Sequence, residues 1–517
     1  MPIIGTLLKK GIKLRESLEQ EYSSPFDLQK SELRKLIIAA RDTEFGKHYD
    51  FKSILQNFKV PELHRFYKAF KENVPIHSYN EMYNQWWHKA HRGANNVSWP
   101  GKVKYFALSS GTSEASSKYI PVTRDMIKAI QKTSIRQILS LRHYDLPDHL
   151  FTSGILMLGG STHLNHRGTY FEGDLSGITA AQIPFWFQHF YKPGTKIAKI
   201  TDWNSKLDEI TEKAARWNIG VIVGVPAWIQ ILIEKIIAHY QVDTIHDIWP
   251  NLSIYVHGGV SFDPYRKGFE KLVTTPLTYI ETYLASEGFI AFQTKPNRRS
   301  MRLVMNNGLF YEFIPFNENN FNEEGDLKEN PDTFMIDEID ENQEYALLIS
   351  SCAGAWRYMI GDVVKIVSRE ESELIITGRT KHFLSLCGEH LSVDNMNKAI
   401  ELVANELNID IKEFTVAGIP YKSLFAHHWF IGTDNSVDQQ KLTELLDSKL
   451  MKLNDDYRVE RSAALKKIIV DVLPPKKFYN YLKLHGKEGG QNKFPRVMKK
   501  SKFADWKNYL ESENNKE

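Results

Sequence analysis

The chain has 517 residues, more than the roughly 250 to 300 that a single hydrophobic core supports, so we expect at least two domains. Hydrophobic residues make up 42% and charged residues 25% of the chain, which excludes collagen-like and disordered proteins. The formal net charge is only +3, so we expect no binding to nucleic acid or to an anionic membrane that depends on overall charge.

The first hundred residues predict helices joined by loops. Residues 31–41 are an example, because Leu33, Leu36 and Ile37 recur at three- and four-residue spacing. The apolar run at residues 3–8 is too short for a signal peptide, and its lysines follow it rather than precede it. No stretch of the sequence approaches the ~20 continuous apolar residues of a membrane span.

The chain contains two cysteines, Cys352 and Cys387. They lie far apart in the sequence and match no metal-binding spacing, so neither a disulfide framework nor a zinc site is indicated. We therefore expect a protein of the reducing cytoplasm.

From residue 102 the pattern changes to alternating strands and helices. Residues 103–108 and 118–122 predict two strands around a polar loop, and Thr123 predicts the N-cap of the helix that follows. Strand and helix patterns continue to alternate between residues 155 and 256. This alternation predicts an α/β domain with largely parallel sheets.

Beyond residue 301 the pattern is mostly β. The sequence Asn306-Asn307-Gly308 predicts a hairpin turn between strands at residues 302–305 and 309–314. The acidic stretch at residues 317–344 is interpreted as an exposed excursion from this β region.

A predicted strand ends near Gly378-Arg379, and we expect the main domain boundary there. The domains are then residues 1–378 and 379–517.

The second domain resembles a small α+β module, with predicted helices at residues 393–407 and 439–453. Residues 483–507 are basic, and charge alone predicts a solvated tail.

The strongest local motif is a hydroxyl-rich loop between the first two predicted strands. Its residues are Ser109, Ser110, Gly111, Thr112 and Ser113. Backbone N–H groups and hydroxyls in such a turn suit the oxygens of a polyphosphate, although the spacing of a Walker loop is absent. The alternative is an ordinary Ser/Gly hairpin loop.

A second motif, Tyr283-Leu284-Ala285-Ser286-Glu287, follows an apolar strand. An aromatic ring, a hydroxyl and a carboxylate at one strand end suit a purine, a phosphate and Mg²⁺ respectively. The alternative is a strand-to-loop corner with a solvated glutamate.

A third motif runs from Trp356 to Val364 and contains Gly361-Asp362 at the start of a strand. A carboxylate at such a turn suits the two hydroxyls of a ribose, whereas the alternative is an Asp-capped turn. Further along, Lys493 lies in a glycine-rich segment near the C-terminus.

In their order and spacing these motifs resemble the acyl-adenylate-forming superfamily and, within it, the GH3 family, from about Leu7 to Lys500. The resemblance implies an α/β fold in which a large N-terminal domain has mixed sheets and a β-barrel-like part, joined to a small mobile α+β domain. Met359 stands where plant members usually have arginine, so bacterial-type members are the nearer comparison, and any contact made by that arginine is in doubt.

The resemblance also implies the role of each motif. The residues that would hold the phosphates of ATP are Ser109, Ser110, Gly111, Thr112 and Ser113. Those that would contact the adenosine are Gly258, Gly259, Tyr283 and Asp362. Those with other roles are Ser286 near the α-phosphate, Glu287 on Mg²⁺, Arg379 at the interdomain hinge and Lys493, which would reach the α-phosphate from the C-terminal domain.

The implied function is an ATP-dependent ligase that adenylates a carboxylic acid and transfers the acyl group to an amine, with an amino acid as the expected acceptor. An acyl-CoA ligase and a catalytically silent ATP-binding protein are the alternatives. Aromatic clusters at residues 184–187 and 225–228 suggest an acyl pocket, although core packing is the more frequent explanation of such clusters.

Two apparent motifs are discounted. Leu158-Gly159-Gly160-Ser161 is similar to a phosphopantetheine attachment site but ends a strand. The pairs His163/His166 and His427/His428 lack further ligands at metal spacing.

Overall fold

The structure is a computed structural model that describes residues 24–110, 117–183, 187–259, 262, 265–296, 298–322, 325–381, 383–389, 391–485, 494–498 and 500–514. The chain divides into two compact units. Unit one comprises Met1–Leu108 and Tyr119–Thr380, and unit two comprises Ser109–Lys118 and Lys381–Glu517.

The first described helix of unit one, Pro25–Ala40, has the predicted amphipathic form. Ser24 caps it by accepting a hydrogen bond from the backbone N–H of Asp27, and proline occupies its first turn. Leu33, Leu36 and Ile37 lie on its buried face. The other α-helices of unit one are Glu44–His48, Phe51–Asn57, Arg65–Asn73, Tyr79–Met82, His88–His91, Arg124–Ser140, Leu175–Ala180, Thr195–Ala198, Trp203–Lys213, Pro226–Tyr240 and Arg266–Glu270.

A small sheet follows the N-terminal helices, with strand order β2-β1-β5-β4. Its strands are β1 Tyr105–Ser110, β2 Ser117–Val122, β4 Asn165–His166 and β5 Phe171–Gly173. Thr123 caps the next helix as predicted, because its hydroxyl accepts the N–H of Met126.

A second sheet has eleven strands in the described part of the chain, in the order β12-β13-β14-β15-β11-β10-β9-β8-β7-β3-β6. Its strands are β3 Gly154–Leu158, β6 Tyr191–Lys192, β7 Ile219–Gly224, β8 Ile254–Gly258, β9 Thr278–Ala285, β10 Gly288–Phe292, β11 Met301–Leu303, β12 Leu309–Pro315, β13 Glu344–Ser351, β14 Tyr358–Ser368 and β15 Glu373–Arg379. Strands β6, β3, β7, β8 and β9 are parallel, whereas β9 to β15 pair antiparallel.

The antiparallel part of this sheet curls strongly. The hydroxyl of Tyr283 on β9 donates to the carboxylate of Asp362 on β14, although β10, β11 and β15 lie between these strands. Four strand spacings in a flat sheet would separate them by roughly 19 Å. Tyr311 on β12 likewise donates to the carbonyl of Ile290 on β10 at 3.1 Å. The curl gives the sheet a barrel-like part. In the described residues, side-chain hydrogen bonds cross this part, but its strands do not pair into a closed barrel.

The predicted hairpin at Asn306-Asn307-Gly308 is wrong. Strand β12 pairs with β13, and three strands separate it from β11 in the sheet. The turn is held instead by helices. Asn307 donates to the Ala129 carbonyl at 2.5 Å, and the N–H of Gly308 donates to the buried carboxylate of Glu32 at 2.7 Å.

The acidic stretch between β12 and β13 is only partly exposed, which corrects the interpretation as an exposed excursion. Met335, Ile336 and Ile339 are each at most 1% exposed and belong to the main core. Apolar residues at the end of this stretch anchor it, while its described charged residues are exposed except for the half-buried Asp337.

Unit two contains a four-stranded sheet of order β20-β19-β18-β21 and a small pair, β16-β17. Its strands are β16 Phe383–Leu384, β17 Leu391–Ser392, β18 Ile411–Tyr421, β19 Leu424–Thr433, β20 Leu465–Leu473 and β21 Val497–Met498. Its α-helices are Val393–Leu407, Gln439–Leu453, Asp455–Ser462, Pro475–Leu484 and Lys500–Asn514.

The interpretation of the basic C-terminal segment as a solvated tail is also wrong. Trp506 on the last helix is fully buried, and its ring packs against Phe478 and Phe494 at 5.1 Å between ring centroids. One face of this helix therefore belongs to the core of unit two, and the basic residues lie on the other face. None of the helices in the described ranges has both the length and the apolar character to cross a membrane.

Candidate active site

Two predicted motifs meet at the carboxyl edge of the parallel strands. Strands β8 and β9 are adjacent and parallel, and Gly258 at the end of β8 pairs with Thr282. A Cβ on Gly258 would lie 2.4 Å from the Thr282 carbonyl oxygen, so this position needs glycine. Gly259 follows with φ +83° and is exposed, and a Cβ there would make an ordinary contact with the Val225 side chain at 3.7 Å. Ligands of open α/β sheets bind at this edge.

Ser286 and Glu287 connect β9 to β10. The ladder between these strands closes with Ala285 opposite Gly288, so the two residues form the tip of a tight hairpin. The tip lies beside the end of β8, because β9 pairs with β8 along its other side.

Asp362 and Arg379 lie opposite each other on β14 and β15. Nε of Arg379 is 2.8 Å from Oδ1 of Asp362, and the same guanidinium donates to the Ile360 carbonyl at 3.0 Å. Burial alone would lower the pKa of Arg379, but Asp362 and nearby acidic groups raise it above its ordinary value. This arginine is therefore a fixed positive charge.

Two buried tyrosines lie beside the carboxylates. Tyr283 donates its hydroxyl to Asp362, and Tyr358 lies close enough to Glu287 for that carboxylate to raise its pKa. Burial, together with these carboxylates, raises the pKa of both tyrosines well above the ordinary value, so they remain donors. We call these four residues and Arg379 the tyrosine–carboxylate cluster.

The cluster has the groups that a nucleotide and Mg²⁺ require. Each carboxylate has about four lone-pair positions, so Asp362 keeps acceptors for two ribose hydroxyls after binding Tyr283 and Arg379. Glu287 is half-buried at a hairpin tip and offers oxygen, which is the ligand atom that Mg²⁺ prefers. The open backbone at Gly259 leaves room for a flat base.

The remaining predicted site residues lie at the end of a described range or outside the described residues. Ser109 is half-buried near the end of β1, and only the backbone of Ser110 is described. Gly111, Thr112, Ser113 and Lys493 lie outside the described residues. Their roles stay predictions.

The third motif contains one half of a buried ion pair that the sequence did not predict. Arg357 and Glu312 are 4% and 0% exposed, and Nε of Arg357 lies 3.0 Å from Oε1 of Glu312. The same guanidinium donates to the carbonyls of Lys71 and Val74 and to the hydroxyl of Thr333. The sequence feature that indicates this ion pair is Glu312, the one charged residue in the otherwise apolar strand β12.

Met359 lies among apolar side chains. It packs beside a cluster that contains Ile314, Phe321 and Leu348. The half-buried thioether cannot form an ion pair, so this position contributes no charge to a substrate or phosphate contact.

One of the two aromatic clusters is core packing in part. Trp228 is 7% exposed, and its ring meets that of Trp203 at 4.0 Å between centroids. Residues 184–186 of the other cluster lie outside the described residues.

The discounted motifs have structural roles. Gly159 and Gly160 directly follow β3, where the N–H of Gly160 donates to Ser176 at 2.9 Å. His427 and His428 contact Glu389 and Asp471 respectively, with nitrogen–oxygen distances of 2.9 and 2.8 Å.

Glu389 gives unit two a pH-dependent stability. Its carboxylate is fully buried, and although burial alone would raise the pKa, hydrogen bonds from His427 and two backbone N–H groups lower it to about 2. Because the folded pKa lies below the ordinary 4.5, the stabilisation is complete above pH 4.5 and is lost as pH falls toward 2. In urea unfolding, Glu389→Gln should therefore be less stable than wild type at pH 7, and the difference should shrink below pH 4.5. A difference that is constant with pH would contradict this.

Family models match most of the chain. The GH3 family N-terminal domain matches residues 14–208, the central domain residues 302–374 and the C-terminal domain residues 394–502. Together these segments cover more than half of the sequence.

Two curated relatives are plant enzymes. An indole-3-acetic acid-amido synthetase of Arabidopsis thaliana is 19% identical over 470 residues, which cover 77% of this chain and 82% of the relative. A jasmonoyl–L-amino acid synthetase of Nicotiana attenuata is 27% identical over 181 residues, which cover 33% of this chain and 30% of the relative. The nearer resemblance to bacterial-type members stays a prediction.

Solved structures confirm the predicted fold class. A GH3 acyl acid amido synthetase is 15% identical with a TM-score of 0.59, and the match covers 98% of this chain and 96% of that one. A 2-hydroxyisobutyryl-CoA ligase is 9% identical with a TM-score of 0.57, covering 91% and 88%. The fold is that of the adenylate-forming enzymes, and because all three domain models match in order, the chain belongs to the GH3 family.

Proposed function

We propose that this chain is an ATP-dependent ligase that activates a small carboxylic acid as its adenylate and transfers the acyl group to the amine of an amino acid. The observation that supports this most is the tyrosine–carboxylate cluster, which brings Tyr283, Glu287, Asp362 and Arg379 together at the edge where such sheets bind ligands. The family relatives named above are amido synthetases. Two buried free thiols suit a reducing cytoplasm.

The first step makes the acid a better acyl donor. A carboxylate oxygen attacks the α-phosphorus of ATP, the bond to the pyrophosphate oxygen breaks, and an acyl adenylate forms. Negative charge grows on the phosphate oxygens, so preorganised positive charge and N–H groups lower the barrier most effectively. The hydroxyl-rich loop from Ser109 to Ser113 and Lys493 are the groups that we assign to this task.

Asp362 is assigned to the ribose, and Arg379 and Tyr283 hold its carboxylate in place. The ion pair and the tyrosine hydrogen bond fix the carboxylate before the nucleotide arrives, which reduces the entropy lost on binding. Gly258 and Gly259 are assigned to the face of the adenine.

Glu287 is assigned to Mg²⁺, with Ser286 beside it on the hairpin tip. A bound Mg²⁺ would neutralise phosphate oxygens and favour departure of pyrophosphate. Tyr358 lies near Glu287, and the raised pKa of its hydroxyl keeps it protonated beside that carboxylate.

In the second step the neutral amine attacks the acyl carbonyl, a C–N bond forms, AMP leaves with the electron pair of the broken C–O bond, and the nitrogen releases one proton to solvent. We propose that residues 379–517 move as a domain between the two steps, with Arg379 at the hinge. Arg379 is well placed for this role, because unit one ends at Thr380.

The direct test is ATP–pyrophosphate exchange over a panel of carboxylic acids, followed by mass detection of conjugates with each amino acid and with CoA. Acid-dependent exchange with amide products supports the proposal. Thioester products would identify an acyl-CoA ligase, and ATP binding without exchange would identify a silent nucleotide-binding protein.

Replacing Asp362 by asparagine should raise the KM for ATP by about tenfold to a hundredfold, because a hydrogen bond to a charged group contributes about 1.5–3 kcal/mol. The measurement is the ATP dependence of exchange with a saturating acid. Tyr283→Phe is the matched variant, since it removes one hydrogen bond from Asp362 but leaves the carboxylate, and it should have the smaller effect. An unchanged KM in Asp362→Asn would exclude the ribose role.

A further inference from the structure

A cavity of about 600 Å³ opens in unit one beyond the carboxyl end of β3. Part of its wall begins at Thr162, four residues after the last residue of that strand, Leu158, and includes His163 and His166. The residues that decide its chemistry are Tyr105, His163, His166, Arg167, Phe171 and Lys199.

The wall of this cavity is fixed by hydrogen bonds. Ser161 donates its hydroxyl to the Lys199 carbonyl at 3.0 Å, and the N–H of Thr162 donates to the Ala198 carbonyl at 2.9 Å. The N–H of His163 donates in turn to the Ser161 hydroxyl at 3.1 Å. The loop after β3 is thereby tied to the segment that carries Lys199.

The lining combines basic side chains with two aromatic rings. Among the described residues, one arginine, one lysine and two histidines line the cavity, and no aspartate or glutamate does. The rings of Tyr105 and Phe171 lie 5.9 Å apart between centroids, and Phe171 is 38% exposed. A cavity of this kind accepts an anion attached to an apolar body.

Arg167 and Lys199 both have hydrogen-bond donors that no described residue uses. Arg167 uses Nε for Glu172 at 2.7 Å, and its two terminal nitrogens have no hydrogen-bonding partner among the described residues. Nζ of Lys199 is likewise without a partner in the described part of the chain. The buried carboxylate of Glu172 orients the guanidinium and, being 5% exposed, does not face the ligand.

We propose that this cavity, the acceptor pocket, binds the amino acid of the second step, with Arg167 and Lys199 on its α-carboxylate and its side chain on Tyr105 and Phe171. This inference rests on the proposed ligase function. The carboxylate of the amino acid suits the pocket because it stays unreacted and can remain bound to cations. The carboxylate of the acid to be activated must instead be free to attack the α-phosphorus of ATP.

The charge of the pocket also suits the chemistry of the amine. Surrounding cations and the lack of a facing carboxylate disfavour an ammonium group, so a bound amino acid loses its proton to solvent more readily. The neutral amine is the form that attacks the acyl carbonyl. A pocket with an acidic residue would stabilise the unreactive form instead.

The test compares Lys199→Ala and Arg167→Gln with wild type in both half-reactions of the full chain. Benzoate, phenylacetate and hexanoate serve as acids, and amino acids, their carboxamides and hydroxylamine serve as acceptors. The KM for amino acids should rise about tenfold to a hundredfold in each variant, because one charge-assisted hydrogen bond is lost. Acid-dependent exchange and trapping by hydroxylamine, which has no carboxylate, should match wild type.

Lys196→Ala is the control, since Lys196 is exposed on the neighbouring helix Thr195–Ala198 and does not line the pocket. A raised KM for the acid, or an unchanged KM for amino acids with normal exchange, would overturn the pocket assignment and leave the ligase assignment intact. Lack of acid-dependent exchange in wild type would overturn both.

Discussion

Replacing Arg357 by methionine should lower the free energy of unfolding by about 3–5 kcal/mol, because it leaves the carboxylate of Glu312 buried without its partner. Glu312 is fully buried, and among the described side chains its carboxylate keeps only the hydroxyl of Tyr67, at 3.0 Å, once the guanidinium is gone. The carbonyls of Lys71 and Val74 lose their donor as well. A single hydroxyl cannot replace a two-point contact from a cation.

Urea unfolding, followed by tryptophan fluorescence and by hydrogen exchange of peptides from β12, measures this loss. Arg34→Met is the matched control, because Arg34 is exposed and its replacement should change stability by less than about 0.5 kcal/mol. The double variant Arg357→Met with Glu312→Leu should recover part of the loss, since it removes the uncompensated charge. Stability of Arg357→Met within about 1 kcal/mol of wild type would contradict a buried ion pair of this kind.

The ion pair also shows where sequence reasoning stops. A glutamate inside the apolar run of β12 signals a buried partner, but the sequence does not say that the partner is Arg357, which lies on the far side of β13. Pairing between residues so distant in the chain is decided by packing and leaves no local pattern.

The sequence predicted helices and turns correctly where neighbouring residues alone determine the backbone conformation. The predicted helix at residues 393–407 has those bounds in the structure, because Ser392 caps its first turn through a capping box. The prediction of a hairpin at Asn306-Asn307-Gly308 was wrong. Asn307 and Gly308 donate hydrogen bonds to a helix carbonyl and to a carboxylate on another helix, and the strands on either side do not pair. Turn chemistry predicts a turn, but it does not predict which strands pair.

The candidate site was found in part for a related reason. Tyr283 and Glu287 lie near and just beyond the end of β9, and strand ends in an α/β sheet meet along one edge. Asp362 lies inside β14, which begins at Tyr358, so the prediction that Gly361-Asp362 starts the strand is wrong. The curl that brings β14 to β9 was implied only by the family resemblance, since no spacing in the sequence encodes it. The proximity of Tyr358 to Glu287 was missed.

The second large effect is expected at Lys493. Its replacement by alanine should lower adenylate formation about a hundredfold to a thousandfold, because one preorganised donor to developing charge contributes about 3–4 kcal/mol to the barrier. ATP binding should change less, since that charge develops only in the transition state. The measurement is acid-dependent ATP–pyrophosphate exchange at saturating ATP, together with the Kd for ATP.

The segment that follows Lys493 is firmly anchored, which is what a lysine that must be delivered in one orientation requires. Phe494 is 2% exposed and packs against Phe478, and Arg496 pairs with Glu413 at 2.6 Å. Lys500→Ala, at an exposed position on the last helix, is the control for a simple loss of charge. With a synthetic acyl adenylate supplied, Lys493→Ala should form the amide at the wild-type rate, because the α-phosphate chemistry is already complete. Wild-type exchange in Lys493→Ala, or an equal loss in both steps, would exclude a role confined to adenylation.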